Sequence, residues 1–183
     1  MIIYRGEEKI IHIDPAVSEE RIEIGEQGSV TLHIGANKKL NLEVVLLGRD
    51  ASANINGRFM GKNADAQEIA VRAILVAPKT SCHMQFRAAL TGASSSFFDG
   101  LIRVEEGAKD SRGFLSYKAL LLGAGARAKP IPRLEVLTKE VASLGHAASV
   151  GKIDPDQLFY LQSRGLSRTA AENLIVDGFL AAA

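Results

Sequence analysis

The chain has 183 residues, enough for one sizeable hydrophobic core or for one core with a small appendage. Its 22 basic and 21 acidic residues leave a formal net charge of +1, so the composition requires neither nucleic acid nor an anionic membrane as a partner. The single cysteine excludes an intramolecular disulfide, and no secretory hydrophobic region or membrane-length apolar segment follows Met1. We therefore expect a cytoplasmic protein whose partners include no nucleic acid and no membrane.

From the N-terminus to about residue 136 the sequence predicts strand after strand. Apolar residues alternate with polar ones along short segments, which is typical of strands with one buried face. The alternation is clear at 30–34, 40–46, 69–75, 82–90 and 115–121. Because no convincing helix lies between these segments, the pattern excludes a doubly wound sheet and leaves a sandwich, a barrel or a β-solenoid.

Short glycine–alanine breaks between the strands favour the solenoid. They begin at Gly92, Gly107 and Gly123, a spacing of 15 to 16 residues, and an earlier break lies at Gly35-Ala36. Stacked coils that contact only their neighbours are expected to show such a period, with small side chains and few aromatic ones. Hexapeptide repeats typical of left-handed helices are absent from the sequence, which indicates a right-handed or irregular parallel coil.

The segment 154–179 predicts two short helices joined by a tight turn. Asp154 is placed to cap the first helix, with Pro155 at the first helical position and Gln157 where a capping box requires it. Gly165 is predicted to end this helix, because glycine readily adopts a positive φ.

The second helix is predicted to begin after a Ser167 cap and to carry an apolar face. Spacings of one, four and five residues place these side chains on that face: Leu174, Ile175, Gly178 and Phe179. Such a hairpin either covers an open end of the core and contributes only stability, or binds a partner protein. It offers no basic face to a phosphate backbone, because the helix contains two acidic residues and one basic residue.

We draw one boundary, between a β-helix core at residues 1–145 and a C-terminal helical segment at residues 146–183. His146 lies at this boundary, and the small residues that follow it leave the imidazole accessible to a partner or a metal. An alternative of equal weight is a hydrogen-bonded histidine that fixes the junction.

The other candidate ligands are predicted to lie apart from one another. Cys82 and His83 are adjacent in one predicted strand, so their side chains point to opposite faces and cannot ligate one metal without a bulge. Cys82 shares its face with apolar residues and is expected to be a buried thiol, with His83 pointing outward. His12 and His33 show no ligand-like spacing and are expected on the surface. No sequence motif of a zinc protease, a nucleotide-binding loop or a serine hydrolase is present.

Three segments of the C-terminal half form a distinctive pattern: PIPRLEV at 130–136, GHAASVGKIDPDQLFYLQSRGLS at 145–167 and AENLIVDGF at 171–179. Together they resemble the C-terminal signature of the SufB/SufD family of iron–sulfur cluster assembly proteins. The resemblance is dense from about residue 113 to residue 179 and looser from about residue 30 to residue 110. The large N-terminal helical region of that family is not found in this sequence, so we expect a short member.

The resemblance implies a right-handed parallel β-helix core followed by a small C-terminal α-helical hairpin. It also implies a non-catalytic scaffold subunit that pairs through its β-helix with a SufB-like chain or with a second copy of itself. The C-terminal helices would dock a SufC-type ABC ATPase. By this resemblance the docking surface would include Asp154, Gln157, Phe159, Tyr160, Arg164, Leu174 and Phe179.

The resemblance also bears on cluster chemistry. His146 resembles the family histidine at the cluster site between paired subunits, which makes it a candidate cluster ligand in a complex. The cysteine that accepts sulfur in SufB would fall near Tyr117 or Lys118, and the acid after the SufB histidine is Ala147 here, so the chain is more similar to SufD. We expect no cofactor in the isolated chain, because one interior cysteine cannot hold a cluster alone, and a transient iron–sulfur cluster only in a complex.

Two alternative functions remain open at this point. The first is a truncated homodimeric paralogue that has kept the fold and lost cluster assembly. The second, less favoured, is a β-solenoid carbohydrate-active enzyme, which would need outward carboxylates on successive coils. Glu105, Glu106 and Asp110 form the local carboxylate group, and they are predicted to lie at a turn.

Overall fold

The computed structural model describes residues 1–35 and 37–182, so the second residue of the predicted Gly35-Ala36 break and the last residue of the C-terminal segment lie outside the described residues. Within them the chain forms strands and then two helices. The strands are β1 (Ile2–Ile3), β2 (Glu8–Ile13), β3 (Glu19–Ile24), β4 (Ser29–Ile34), β5 (Lys39–Leu46), β6 (Ser52–Gly61), β7 (Ala66–Leu75), β8 (Ser81–Leu90), β9 (Ser95–Val104), β10 (Ser111–Leu121), β11 (Arg127–Val136) and β12 (Val141–Lys152). The helices are α1 (Pro155–Ser163) and α2 (Arg168–Ala181).

The strands form two parallel sheets around one hydrophobic core. The odd-numbered strands make one sheet in the order β1-β3-β5-β7-β9-β11, and the even-numbered strands make the other in the order β12-β10-β8-β6-β4-β2. We call them the odd sheet and the even sheet. Because consecutive strands alternate between sheets and each pairs with the strand two positions away, the chain winds as a parallel β-solenoid. The predicted mainly β solenoid with a C-terminal helical hairpin is confirmed, while its right-handed sense stays a prediction.

The length of a coil explains the spacing of the glycine–alanine breaks. Along the even sheet, Ser29 pairs with Ser52, Ser52 with Ser81, Ser81 with Arg112 and Arg112 with Ser143, so successive coils contain 23, 29, 31 and 31 residues. Each coil turns two corners, one after each strand. The 15-to-16-residue spacing of the breaks is therefore half of a coil.

One corner of each coil is held by a residue with left-handed backbone geometry. Gln27, Asp50, Lys79 and Asp110 have φ values between 55° and 59°. Their N–H groups donate to carbonyls at the same corner of the next coil, in the pairs Gln27 to Arg49 (2.8 Å), Asp50 to Pro78 (3.2 Å), Lys79 to Lys109 (2.8 Å) and Asp110 to Glu140 (2.8 Å). Backbone hydrogen bonding between coils therefore continues around the corner instead of stopping at the strand ends.

A stack of aromatic rings fills the wider part of the core. Phe98 lies between Phe86 and Tyr117, with ring-centroid distances of 4.4 and 5.2 Å. Glycines make the space for these rings: a Cβ on Gly57 would lie 2.1 Å from the Phe86 ring, and one on Gly100 would lie 2.6 Å from the Phe98 ring. Glycine is expected in a strand at such close approaches.

A line of buried polar groups runs beside the aromatic stack. The Tyr117 hydroxyl donates to Ser96 Oγ at 2.9 Å, and Ser96 Oγ donates to Gln67 Oε1 at 3.4 Å. Gln67 Nε2 then donates to the carbonyl of Asn37 at 3.0 Å. Burial raises the pKa of Tyr117, and the Ser96 hydrogen bond partly opposes that change. These bonds satisfy polar atoms from successive coils that would otherwise be costly to bury.

The solenoid extends beyond the boundary that we drew at residue 145. Residues 145–152 belong to β12 and pair in register with β10, from Gly145 opposite Phe114 to Lys152 opposite Leu121. The helical part therefore begins only at Pro155. The boundary was wrong because the small residues after His146 lack the apolar alternation by which the earlier strands were recognised.

The predicted helix ends are confirmed, with one difference in the cap. Asp154 Oδ1 accepts the N–H of Asp156 at 2.9 Å, rather than the N–H of Gln157 that a capping box would use. Gly165 has a φ of 95°, and the turn closes with the two hydrogen bonds of a Schellman motif, Gly165 N–H to the Gln162 carbonyl and Leu166 N–H to the Leu161 carbonyl. Ser167 Oγ caps α2 by accepting the N–H of Ala170 at 3.2 Å.

We expect Gly57→Ala to lower the free energy of unfolding by about 1–3 kcal/mol, because the new methyl group would overlap the Phe86 ring in a filled core. Urea denaturation measures the change. Gly178→Ala is the control: a Cβ there meets no atom within 4 Å, so helix propensity should leave the stability unchanged or raise it by up to about 1 kcal/mol. Equal stability of Gly57→Ala and the parent protein would contradict the assigned role of Gly57.

Candidate functional site

Helix α2 lies against the outer face of the even sheet. Val176 of α2 is buried in a small hydrophobic cluster with Ala89 of β8 and Leu120 of β10. Half-buried residues of the helix complete the contact, namely Ile175, Phe179 and Leu180. The cluster is separate from the solenoid core, so the hairpin is an added layer on the sheet and not a plug in its open end.

Polar side chains of β8 fix the C-terminal end of α2. Arg87 Nη1 donates to the carbonyl of Phe179 at 2.7 Å, and the guanidinium lies 5.2 Å from the centre of the Phe179 ring. Gln85 Nε2 donates to the carbonyl of Ala182 at 2.7 Å. Carbonyls in the last helical turn have no partner within the helix, and a cation there also complements the helix dipole. Desolvation by burial, with Arg58 nearby, lowers the pKa of Arg87.

The opposite side of the hairpin exposes large apolar side chains. Phe159 is 73% exposed, Tyr160 55% and Leu174 52%. The Arg164 guanidinium lies 5.1 Å from the centre of the Tyr160 ring. We call these four residues the hairpin surface. Aromatic and arginine side chains of this kind are enriched at the centres of protein interfaces.

The residues predicted to bind a partner therefore divide into two groups. Gln157 is exposed in α1 beside the hairpin surface, whereas Asp154 acts as the helix cap and Phe179 packs on the even sheet. The predicted apolar face of α2 is likewise divided, because Leu174 is exposed while Ile175 is half-buried against the sheet. The expectation of one uniform face was wrong, since the stripe that meets the sheet runs through Val176 and not through Leu174.

Strand β12 has one edge paired with β10 and a second edge without a strand partner among the described residues. It is twelve residues long and carries no charged side chain before Lys152. Charged residues and prolines are the usual means by which sheet edges avoid pairing with another chain. Before Lys152, the free edge of β12 lacks both.

Strand β11, the last strand of the odd sheet, has an edge that is protected by prolines. Arg127 and Leu137 donate their N–H groups to carbonyls at the two ends of β9. Since N–H directions alternate along a strand, the N–H groups of even-numbered residues of β11 point to the open edge. Pro130 and Pro132 occupy two of these positions and provide no donor. The open end of the solenoid thus has one pairing edge, β12, and one protected edge, β11.

His146 lies in β12 at this open end. It pairs in register with Leu115, whose side chain is buried, so His146 belongs to the inward-facing row of the last strand together with Ala148 and Val150. The row is exposed because no further strand of the odd sheet covers it, and Val150 is 42% exposed. Within the described part of the chain the His146 ring makes no hydrogen bond or ion pair, so nothing there supports the alternative of a histidine that fixes the junction.

Residues 12–179 match the family model described as SUF system FeS cluster assembly, SufBD core domain. The chain belongs to the SufBD family. The iron–sulfur cluster assembly protein SufD of Bacillus subtilis (strain 168) is 40% identical over 89 residues, which cover 49% of this chain and 20% of that protein. An iron–sulfur cluster assembly SufBD family protein of Mycobacterium bovis is 30% identical over 197 aligned residues, which cover 91% of this chain and 49% of that protein. A SufBD family protein of Mycobacterium leprae is 28% identical over 149 residues, which cover 81% of this chain and 17% of that protein. The chain thus spans half or less of the length of these relatives.

The thiol of this SufBD family member is buried where a cluster could not reach it. Cys82 lies in the inward row of β8, between Ala53 and Gly113 of the neighbouring strands, as the sequence predicted. Burial raises the pKa of Cys82 to about 12. Because the thiolate is the form that ligates metals, this cysteine does not fit a cluster ligand. His83 points to the outer face, also as predicted, and its ring stacks on Phe114 at 5.7 Å.

The predicted carboxylate group lies at the turn between β9 and β10, as the sequence predicted. Glu105 accepts a hydrogen bond from Arg103 Nε at 2.7 Å, and Asp110 occupies the left-handed corner position of the same turn between β9 and β10. Across the described ranges 1–35 and 37–182, no group of three or more histidine, cysteine or acidic side chains could hold a metal ion. Neither of the described helices is long and apolar enough to cross a membrane.

One contact was missed by the sequence analysis. His12 and His33, which were expected as separate surface residues, are directly opposite each other in β2 and β4. Their rings stack with a centroid distance of 4.9 Å. The signal that could have revealed the contact is the separation of 21 residues, which equals the length of the first coil.

We expect alkylation of Cys82 by iodoacetamide at pH 8 to be at least about 100-fold slower in the native protein than in urea, because the thiolate fraction falls about tenfold for each unit by which the pKa is raised. Mass spectrometry follows the adduct. The same shift lets the folded thiol keep its proton while the unfolded thiol loses it near its ordinary pKa of 9.0, so the free energy of unfolding should decline as pH rises from about 9 toward 12. Similar alkylation rates in the native and unfolded protein would show that Cys82 is accessible.

Proposed function

We propose that this chain is a non-catalytic scaffold subunit of iron–sulfur cluster assembly. In this proposal it docks a SufC-type ABC ATPase on the hairpin surface and pairs along β12 with a SufB-like chain or with a second copy of itself. The observation that carries the proposal is the exposed group Phe159, Tyr160 and Leu174 on a hairpin that is fixed to the solenoid from its other side. Family membership supports the assembly role.

Docking on the hairpin is favoured by its rigidity. Arg87 and Gln85 hold the end of α2, and the Schellman turn holds α1 relative to α2. A preorganised surface loses little conformational entropy when a partner binds. Burying Phe159 and Leu174 in a partner's groove would also remove large apolar side chains from water. An ATPase that changes shape during its cycle could in this way transmit movement to the solenoid as a rigid body.

Pairing along β12 is favoured by the unprotected edge. A strand from a partner can extend the even sheet there, with backbone hydrogen bonds supplying affinity and neighbouring side chains supplying specificity. Side chains of the added strand would then pack beside the inward row of β12, which includes Val150, now 42% exposed. The prolines of β11 disfavour the same addition on the odd sheet, so that the β12 edge is the favoured place for a partner strand.

The cluster itself is the cargo of the assembly in this proposal. His146 lies on β12 and can offer one imidazole ligand at the interface. One nitrogen ligand does not hold a cluster, and the buried Cys82 does not add a thiolate. The remaining ligands would therefore come from the paired chain. This arrangement explains how a subunit without an accessible cysteine can still take part in assembly.

We expect Phe159→Asp and Leu174→Asp each to weaken binding to the SufC-type ATPase at least about tenfold, because a charge would have to be desolvated at the centre of the interface. Calorimetry with the ATPase of the same organism measures this. Ile10→Asp is the control, since Ile10 is 68% exposed on β2, at the other end of the even sheet. Unchanged affinity in both hairpin variants, with their circular dichroism intact, would place the ATPase elsewhere. Phe179→Asp is less informative, because it disturbs the contact of α2 with the sheet.

We expect Val150→Glu to abolish pairing, because it places a charge in the row beside which the inward side chains of the partner strand must pack. Light scattering on a sizing column, for the chain alone and mixed with a SufB-like chain, gives the mass of each species. Ile10→Glu at the opposite end should pair normally. A dimer that survives Val150→Glu would exclude the β12 edge. Self-pairing without any ATPase binding would instead support the homodimeric paralogue.

A further inference from the structure

His12 and His33 form a pair of stacked rings away from the surfaces proposed for the scaffold role. They occupy directly opposed positions of the parallel strands β2 and β4. Their rings are 4.9 Å apart between centroids and lie within 20° of parallel. These are the two histidines of the chain that the fold brings into contact, although 21 residues separate them in the sequence.

Both rings are on the outer face of the even sheet and can be reached from solvent. The residues that flank them, Ile13 and Leu32, are buried in the core, so the histidines must point to the other side. His12 is exposed and His33 is half-buried. The next position in register is Asn56 of β6, whose side chain belongs to the same face.

The chemistry of the pair is that of a nitrogen-ligand site. Neutral imidazoles are good ligands for Zn²⁺, Cu²⁺ and Ni²⁺, with metal–nitrogen distances of about 2.0–2.1 Å for zinc. Two such ligands on one ion must bring their nitrogens to within roughly 3–3.5 Å of each other. Stacked rings at opposed positions of adjacent strands suit this requirement, because the strands lie about 4.8 Å apart and rotation of the rings can bring a nitrogen of each toward one ion.

We propose that His12 and His33 form a surface site for a divalent transition metal, with zinc as its simplest occupant and water completing the coordination. The strand register preorganises the two imidazoles, so only ring rotation is needed on binding. A site with two protein ligands binds more weakly than a closed structural zinc site with four. It lies at the β2 end of the even sheet, whereas the proposed pairing edge is β12 at the other end. Neither the hairpin surface nor the scaffold role is needed for it.

The test is a zinc titration of the tag-free chain at pH 7.5. Histidine side-chain NMR correlations report each ring separately. We expect the His12 and His33 signals to shift together on the first equivalent of Zn²⁺, while those of His83 and His146 move only at excess metal. Calorimetry should show at least a tenfold weaker affinity for His12→Gln and for His33→Gln. His83→Gln is the matched control, because His83 also lies on the outer face of the even sheet and stacks on a phenylalanine instead of a histidine.

Thermal unfolding distinguishes a variant that has lost the metal site from one that does not fold. Zinc binding to the native state should raise the melting temperature of the parent protein and of His83→Gln, and should leave those of His12→Gln and His33→Gln unchanged. The proposal is overturned if the His12 and His33 rings do not respond to millimolar zinc. It is equally overturned if either single variant keeps the parent affinity, or if His83→Gln loses as much affinity as the other two.

Discussion

Parallel pairing between coils is the constraint on which the rest of this molecule depends. Each strand satisfies its backbone groups on the strands of the coils before and after it, and the left-handed corner residues Gln27, Asp50, Lys79 and Asp110 continue the bonding between strands. Such a structure cannot close on itself, so it must finish with free edges. The molecule treats its two last edges differently: the prolines of β11 remove donors, whereas β12 keeps a full set. The backbone therefore decides which edge can pair with a strand of another chain.

The helical hairpin illustrates how one element can be anchored and exposed at once. Its inner side contacts the even sheet through the hydrophobic cluster around Val176 and through the hydrogen bonds from Arg87 and Gln85. Its outer side keeps Phe159 and Leu174 in water, where they raise the free energy of the isolated chain. Covering the hairpin surface would lower this free energy. The hydrogen bonds from Arg87 and Gln85 would connect a partner bound there to the even sheet.

Local features of this fold could be predicted from the sequence, and features that depend on register could not. Strand parity placed Cys82 inward and His83 outward, and the caps at Asp154 and Ser167 follow from residues only a few positions apart. The meeting of His12 and His33 depends on coil length, which grows from 21 to 31 residues and cannot be inferred from a single break. The side of α2 that meets the sheet depends on the small and apolar positions Ala89 and Leu120, which lie far away in sequence.

The growth of the coils gives the solenoid a taper. At one end of the even sheet β2 offers six residues of edge, and at the other β12 offers twelve. Hydrogen bonds gained by adding a strand increase with the length of the edge, so the broad end can form about twice as many of them with an added strand as the narrow end. The taper would therefore give the proposed strand pairing a direction. Two such chains joined broad end to broad end would form a spindle with both narrow ends outward, a shape that closes after two subunits and cannot grow into a filament.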